Sequence, residues 1–281
     1  MNKSGVTLGV LQELQQKYRV TASKALGQNF LVDANISRKI AEAIEPDQNV
    51  IEVGPGIGSL TVPLARRSNR VIAIEFDAHI LDPLNEVLTD FEVSEKVEVI
   101  HSDVMEVELQ KLCLEKDVRT IIGNLPYNIS APLLADIAIK TPVVETVVAM
   151  VQREVGERLA AKQGTRAVSS ITLKCQYFMD IKVLFDVPSQ SFIPRPRVDS
   201  VVISMSRHDR AEPLKTDAIK EMFSMIDMAF SQRRKMMRQS LKSMFGSDVA
   251  EIFELSGVAP TIRPEQCTLD DFLNVSALQR P

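Results

Sequence analysis

The chain has 281 residues, with 33 basic and 37 acidic side chains and a formal net charge of -4. Hydrophobic residues make up 45% and charged residues 25%, which excludes intrinsic disorder, collagen and low-complexity fibre. The length suits one large domain or two modest ones, and the whole-chain charge argues weakly against a nucleic-acid partner.

In chain order, five short β-branched runs alternate with helix-like stretches. Runs at 50–53, 70–75, 97–100, 120–122 and 146–151 predict strands, and 60–67, 78–88, 106–114 and 132–139 predict the helices between them. This alternation predicts a parallel, doubly wound sheet, and runs apolar on both sides suit strands buried on both faces. After residue 150 the pattern changes. A helix is predicted at 154–161, then strands at 171–178, 181–185 and 198–204, which would pair antiparallel at one end of the sheet. From about residue 214 the chain reads as helical, with helices at 218–228, 233–244, 247–255 and 269–277 and breaks at Gly246, Gly257 and Pro260. The expected fold is α/β: a Rossmann-like sheet domain over 1–206, then a small all-helical domain over 207–281.

Cys113, Cys175 and Cys267 are odd in number and far apart, and His79, His101 and His208 are scattered. Neither a disulfide framework nor a metal site is expected. The N-terminus lacks the order of a secretory signal, and the apolar runs fall far short of the ~20 residues a membrane helix needs. A cytoplasmic protein without a membrane partner is expected.

The sharpest local feature is Glu52-Val53-Gly54-Pro55-Gly56-Ile57-Gly58, after the first strand and before a helix. Glycines there let the backbone turn tightly and approach a ligand. Glu75 ends the second strand 21 residues after Gly54, near the ~20-residue offset at which an acid grips ribose hydroxyls. The spacing is G-x-G-x-G and Pro55 lies inside the turn, which suits a nucleoside without phosphate, such as S-adenosylmethionine, better than a pyrophosphate. Asp103 ends the third strand, where a carboxylate can accept from an adenine amino group. Taken singly, Glu75 reads equally as a solvated strand end and Asp103 as a helix N-cap. Gly54, Glu75 and Asp103 at successive strand ends point jointly to a cofactor.

The fourth strand ends in Asn124-Leu125-Pro126-Tyr127. The exocyclic amine of adenine is a poor nucleophile because its lone pair is conjugated into the ring. Two acceptors on its hydrogens can draw the nitrogen toward tetrahedral geometry. Asn124 offers one through its side-chain oxygen, and the backbone carbonyl of Leu125 or Pro126 offers the other. Pro126 restricts this backbone, and Tyr127 offers a stacking face for a base taken out of its stack. Positioning and oriented dipoles suffice, with no dedicated general base.

Through these motifs the chain resembles the KsgA family of ribosomal-RNA adenine dimethyltransferases nearly from end to end. The resemblance includes Lys24-Ala25-Leu26-Gly27-Gln28-Asn29-Phe30-Leu31-Val32-Asp33, Asn128-Ile129-Ser130 and Gln152-Arg153-Glu154-Val155. It continues through Phe192-Ile193-Pro194-Arg195-Pro196-Arg197-Val198-Asp199-Ser200 and the basic run from Phe230 to Lys242. It implies a class I methyltransferase sheet that binds S-adenosylmethionine through Gln28, Asn29, Leu31, Gly54, Gly56, Glu75, Asp103, Val104 and Asn124. It implies Phe192 as a second stacking ring opposite Tyr127. RNA contacts are implied for Arg195, Arg197, Arg233, Arg234, Lys235, Arg238 and Lys242; on a continuous helix Arg234, Arg238 and Lys242 would share one face. The expected activity is transfer of two methyl groups to N6 of adenines, two adjacent ones, in a small-subunit rRNA loop of a pre-ribosomal particle, by a monomer.

Three departures from the family stand out: Gly123 where Ala is commoner, the stretch 165–170 without an aromatic-Gly pair, and Gln239 for Asn. Competing readings are a large-subunit resistance methyltransferase, a DNA N6-adenine methyltransferase, and an assembly factor without catalysis. The DNA enzymes usually carry an acid at the first position of the tetrapeptide, which is Asn124 here. Charge distribution sharpens the whole-chain value. Residues 1–39 carry +4 and residues 190–245 carry +5, while the remaining 186 residues carry -13. Two basic segments thus sit on an acidic scaffold, which permits RNA at one face.

Overall fold

Strands rich in Val and Ile, flanked by helices with one apolar face, need cover on both sides, and the chain supplies it. The computed structural model describes residues 5–23, 26–208 and 217–278. Helix α1 (Leu8–Tyr18) is followed by a two-residue strand β1 (Phe30–Leu31) and α2 (Ala34–Ala41). The alternating body then runs β2 (Asn49–Val53), α3 (Thr61–Arg67), β3 (Arg70–Glu75), α4 (Ala78–Asp90), β4 (Val97–His101), α5 (Leu109–Glu115), β5 (Val118–Asn124), α6 (Ser130–Lys140) and β6 (Thr146–Gln152). Next come α7 (Arg153–Leu159), α8 (Ser170–Phe178), β7 (Met179–Val187), the two-residue β8 (Phe192–Ile193) and β9 (Ser200–Arg207). The C-terminal part holds α9 (Asp217–Ser231), α10 (Met237–Ser240), α11 (Lys242–Phe245), α12 (Val249–Ser256) and α13 (Leu269–Ser276).

The seven-stranded sheet has the order β4-β3-β2-β5-β6-β9-β7. The first five strands are parallel, and β9 pairs antiparallel with both β6 and β7, as expected for one end of the sheet. Strand residues alternate between two cores, because successive side chains point to opposite faces. Ile51, Val53, Ile72, Ile74, Ile121 and Val147 join one core, while Val50, Val71, Ile122 and Val148 join the other. The first core runs on without a break into Ile219, Phe223 and Phe272 of the C-terminal helices. Tyr177, Phe178 and Phe223 seal that junction edge to face, with centroids 4.9 to 6.0 Å apart. Among the described residues no helix is long and apolar enough to cross a membrane.

Two expectations need correction. The predicted strand 171–178 is helix α8. A capping box between Ser169 and Thr172 starts it, and Leu173, Cys175 and Phe178 are buried. The local capping and the packing against α6 outweigh the β-branched Ile171-Thr172 pair. The predicted helix 233–244 is broken as well. Residues 232–235 form a turn, Met236 is extended, and only the short α10 and α11 follow. The amide of Met237 donates to the carbonyl of Ile262 at 2.8 Å, so it cannot close a helical turn onto Arg233. The predicted boundary at 206/207 is followed by residues 209–216, which lie outside the described residues, as do Lys24 and Ala25.

Arg207 closes the end of α6. Its guanidinium donates to the carbonyls of Val144 at 2.7 Å, Ala138 at 3.0 Å and Thr141 at 3.2 Å, and lies 5.8 Å from the ring centre of Phe178. Arg207→Met strips the donors from these carbonyls and should lower the unfolding free energy by about 2 kcal/mol. Urea denaturation measures this; a loss under about 0.5 kcal/mol would mean that water replaces the arginine without cost.

Candidate active site

In a parallel sheet the strands end at one edge, and ligands bind outside that edge. A single pocket collects the carboxyl ends of β2 to β5. It is lined by the segment Leu26–Leu31, the loop after β2, Glu75 and Phe76 after β3, Asp103 and Val104 after β4, and Asn124–Ile129 after β5. Every cofactor residue predicted from the sequence lies on this wall: Gln28, Asn29, Leu31, Gly54, Gly56, Glu75, Asp103, Val104 and Asn124. Leu125, Pro126 and Tyr127 line it too.

The loop is shaped by its neighbours. Gly54 and Gly56 both hold positive φ, at 70° and 52°, and a Cβ on Gly56 would stand 3.4 Å from the Phe30 ring. Glu75 holds the loop with one oxygen, accepting from the amide of Gly56 at 3.0 Å, and the next turn with the other, accepting from Asp77 at 2.9 Å. Burial raises its pKa. Asp103 accepts the amide of Met105 at 2.9 Å, six residues before α5, so it closes a turn and does not cap the helix.

The closing segment is tied to the rest of the site. Gln28 donates to Asp77 at 3.0 Å, and Asn29 donates to the carbonyl of Gly27 at 3.0 Å. β1 pairs antiparallel with β8, and the Leu31 carbonyl accepts from the buried Ser59 hydroxyl at 2.6 Å. Asn124 donates its side-chain amide to the carbonyl of Asn29 at 3.1 Å. Tyr127 is half-buried, and its hydroxyl pairs with that of Ser200 at 2.9 Å, which fixes the ring. The Pro126 carbonyl accepts from the amides of Ile129 and Ser130, both at 3.1 Å.

Phe192 is a correction. It does not line the pocket. It is 2% exposed and packs into the apolar cluster that also holds Leu31, its register partner on β1. All seven predicted RNA contacts, Arg195, Arg197, Arg233, Arg234, Lys235, Arg238 and Lys242, are exposed. Arg195 donates to the Ser189 hydroxyl at 3.0 Å. Arg233 differs from its neighbours: it donates to the carbonyl of Arg166 and lies 3.7 Å from the largely buried carboxylate of Glu265. The broken helix also means that Arg234 sits on a turn, apart from the helical turns that carry Arg238 and Lys242.

Sequence reasoning missed two pocket residues. Phe76 lines the pocket with a 53% exposed ring, directly after the ribose candidate Glu75. Glu52 is 1% exposed, and one of its oxygens has no hydrogen-bond partner. An acid inside a strand otherwise buried on both faces was the available signal. Burial pushes its carboxyl up to about 8. Among the described residues the lining thus holds three acidic side chains, Glu52, Glu75 and Asp103, with Glu52 protonated at neutral pH, and no Lys, Arg or His. Such a wall suits a cationic nucleoside and offers no counter-charge to a pyrophosphate.

A model of the ribosomal RNA adenine dimethylase family matches residues 19–279. The chain belongs to this family. Within the family it is 37% identical over 275 residues to the ribosomal RNA small subunit methyltransferase A of Ligilactobacillus salivarius, covering 94% of this chain and 92% of that one. Identity to the protein of the same name from Leifsonia xyli is also 37%, over 273 residues and 95% and 96% of the two chains. Among solved structures, 23S rRNA methyltransferase ErmE superposes with a TM-score of 0.68 at 25% identity, covering 89% of this chain and 98% of that one. A dimethyladenosine transferase from Plasmodium falciparum reaches 0.71 at 24% identity, over 88% and 95%, which speaks for the fold.

The buried acid gives a pH test. A carboxyl with a folded pKa near 8 and an ordinary unfolded value keeps its proton in the native state only. Its contribution to stability is therefore whole below about pH 4.5 and is lost as pH rises toward 8, by about 1.4 kcal/mol per unit. Glu52→Gln should remove this slope, so the variant gains on the wild type between pH 5 and 8. Parallel stability curves across that range would show that Glu52 ionises normally.

Proposed function

We propose that this dimethylase transfers two methyl groups from S-adenosylmethionine to N6 of adenines, two adjacent ones, in a loop of small-subunit rRNA. The observation that carries the reading is the Asn124–Tyr127 turn, set on the wall of a pocket whose charged side chains, among the described residues, are acidic. Glu75 would hold the ribose, Asp103 the adenine amine and Phe76 the adenine face, with Asn29 and Leu31 against the methionine part. Bound there, the cofactor supplies an electrophilic methyl on a cationic sulfur and leaves as S-adenosylhomocysteine.

The chain's own residues position the acceptor. Asn124 Oδ1 takes one N6 hydrogen. The Pro126 carbonyl is already occupied by two amides, so the Leu125 carbonyl takes the other. Both dipoles are held before substrate arrives, which is where oriented groups act best. Tyr127 stacks on the flipped base, with its ring held by Ser200. Each transfer forms the N6–methyl bond as the sulfur–methyl bond breaks, and the cationic nitrogen then releases a proton to water; after the first transfer the amine keeps one hydrogen for one acceptor, so the same site can act again. Phe192 acts from behind the wall by holding β1 in place.

Residues 1–206 form the catalytic unit in this reading, and 207–281 the RNA-binding helical unit. Arg195, Arg197, Arg234, Lys235, Arg238 and Lys242 would contact phosphates, with a smaller share from Arg233, which Glu265 and Arg166 engage. The enzyme would act in the cytoplasm, as a monomer, on a pre-ribosomal particle. The small-subunit target is supported by 37% identity over 94% of the chain to a ribosomal RNA small subunit methyltransferase A.

Asn124→Ala should reduce methyl transfer to extracted rRNA by about 100-fold or more while RNA affinity stays within about twofold. Wild-type rates of dimethylation, read by mass mapping of adenines, would refute the acceptor role. Replacing Arg234 and Arg238 together with Ala should weaken RNA binding and flatten the salt dependence by about one log unit per lost phosphate contact. An unaltered slope would return both arginines to the solvated surface.

A further inference from the structure

Asn124 has two ends, and the pocket uses them differently. Its amide nitrogen lies 3.1 Å from the carbonyl oxygen of Asn29. A backbone carbonyl only accepts, so the –NH2 must face it, and this settles which way the amide points. The Asn29 carbonyl is itself well placed. The adjoining β1 pairs with β8, Val32 donates to the Ser191 carbonyl at 2.9 Å, and Ser59 holds the Leu31 carbonyl at 2.6 Å. On the other side, Asn124 ends β5, and the Leu125 amide donates to Met150 at 3.1 Å.

We infer that Asn29 is a positioning residue: its carbonyl turns the Asn124 amide so that Oδ1 is presented to the acceptor amine. The proposal rests on the methyl-transfer reading and adds to it. The site needs a group at 124 that donates backward and accepts forward. An ionised Asp accepts on both oxygens and would set one of them against the Asn29 carbonyl. A protonated Asp donates with one oxygen and accepts with the other, as Asn does. If Asn124 served only as an acceptor, Asp would do as well at any pH.

Asn124→Asp separates the two. At pH 8.5 it should methylate rRNA at least about tenfold more slowly than wild type, and the ratio should recover by up to about tenfold per pH unit as the carboxyl takes up its proton. In the same variant, without RNA, the amides of Phe30, Leu31 and Val32 should exchange with deuterium faster than in wild type at pH 8.5. Asn124→Ala, which loses the donor without adding repulsion, should speed exchange less. A rate for Asn124→Asp equal to wild type at every pH overturns the inference. So does unchanged exchange at these three amides in both variants. Should the wild-type protein fail to methylate adenine, the functional reading falls, while the exchange comparison still decides the contact.

Discussion

The packing of β5 against β2 brings the cofactor loop and the acceptor turn together, and in this chain Gly123, where the family more often has Ala, lets the two strands approach especially closely. A Cβ at this position would stand 2.5 Å from the carbonyl of Val53. Without one, the two central strands finish side by side, and the glycine turn comes up against the Asn124 backbone. The position that a Cβ of Gly54 would take is 3.6 Å from the Asn124 carbonyl. A side chain at 123 would meet backbone, which cannot rotate away, so the contact is rigid. Cofactor loop and acceptor turn therefore share one frame, as a transfer between two bound molecules requires.

Electrostatics divides the protein between pocket and surface. Among the described residues the pocket wall carries three acids and no base, while the exposed basic residues of 195–197 and 234–242 lie outside it. The acidic wall favours a cation and disfavours phosphate, so the RNA backbone has no reason to enter where the cofactor sits. In the proposed reading the basic surface would give a salt-sensitive hold on phosphates without reading sequence. The modest net charge of the whole chain is the sum of these opposed parts.

Much of this was legible in the chain. Gly54, Glu75, Asp103 and Asn124 each follow a β-branched run, and in a parallel sheet successive strand ends meet at one edge, so local periodicity was enough to bring them together. The capping box of α8 was also present at Ser169 and Thr172, but the Ile171-Thr172 pair suggested a strand. Phe192 was not legible. Whether an aromatic faces a pocket or a core depends on the partner of its two-residue strand, and so short a strand has no periodicity of its own.

The sequence by itself determined the alternating sheet, the antiparallel end, the residues that line the pocket at the strand ends and the family. Each of these follows from local patterns or motifs. Only the tertiary structure decided that the Asn124 amide nitrogen meets the Asn29 carbonyl, that Glu52 is a buried acid, and that Arg233 is engaged away from its basic neighbours. In each case the deciding partner, Asn29, Glu265 or the opposite strand, is distant in sequence. Hydrogen bonding and desolvation act over a few ångströms of space, and separation along the chain does not reveal them.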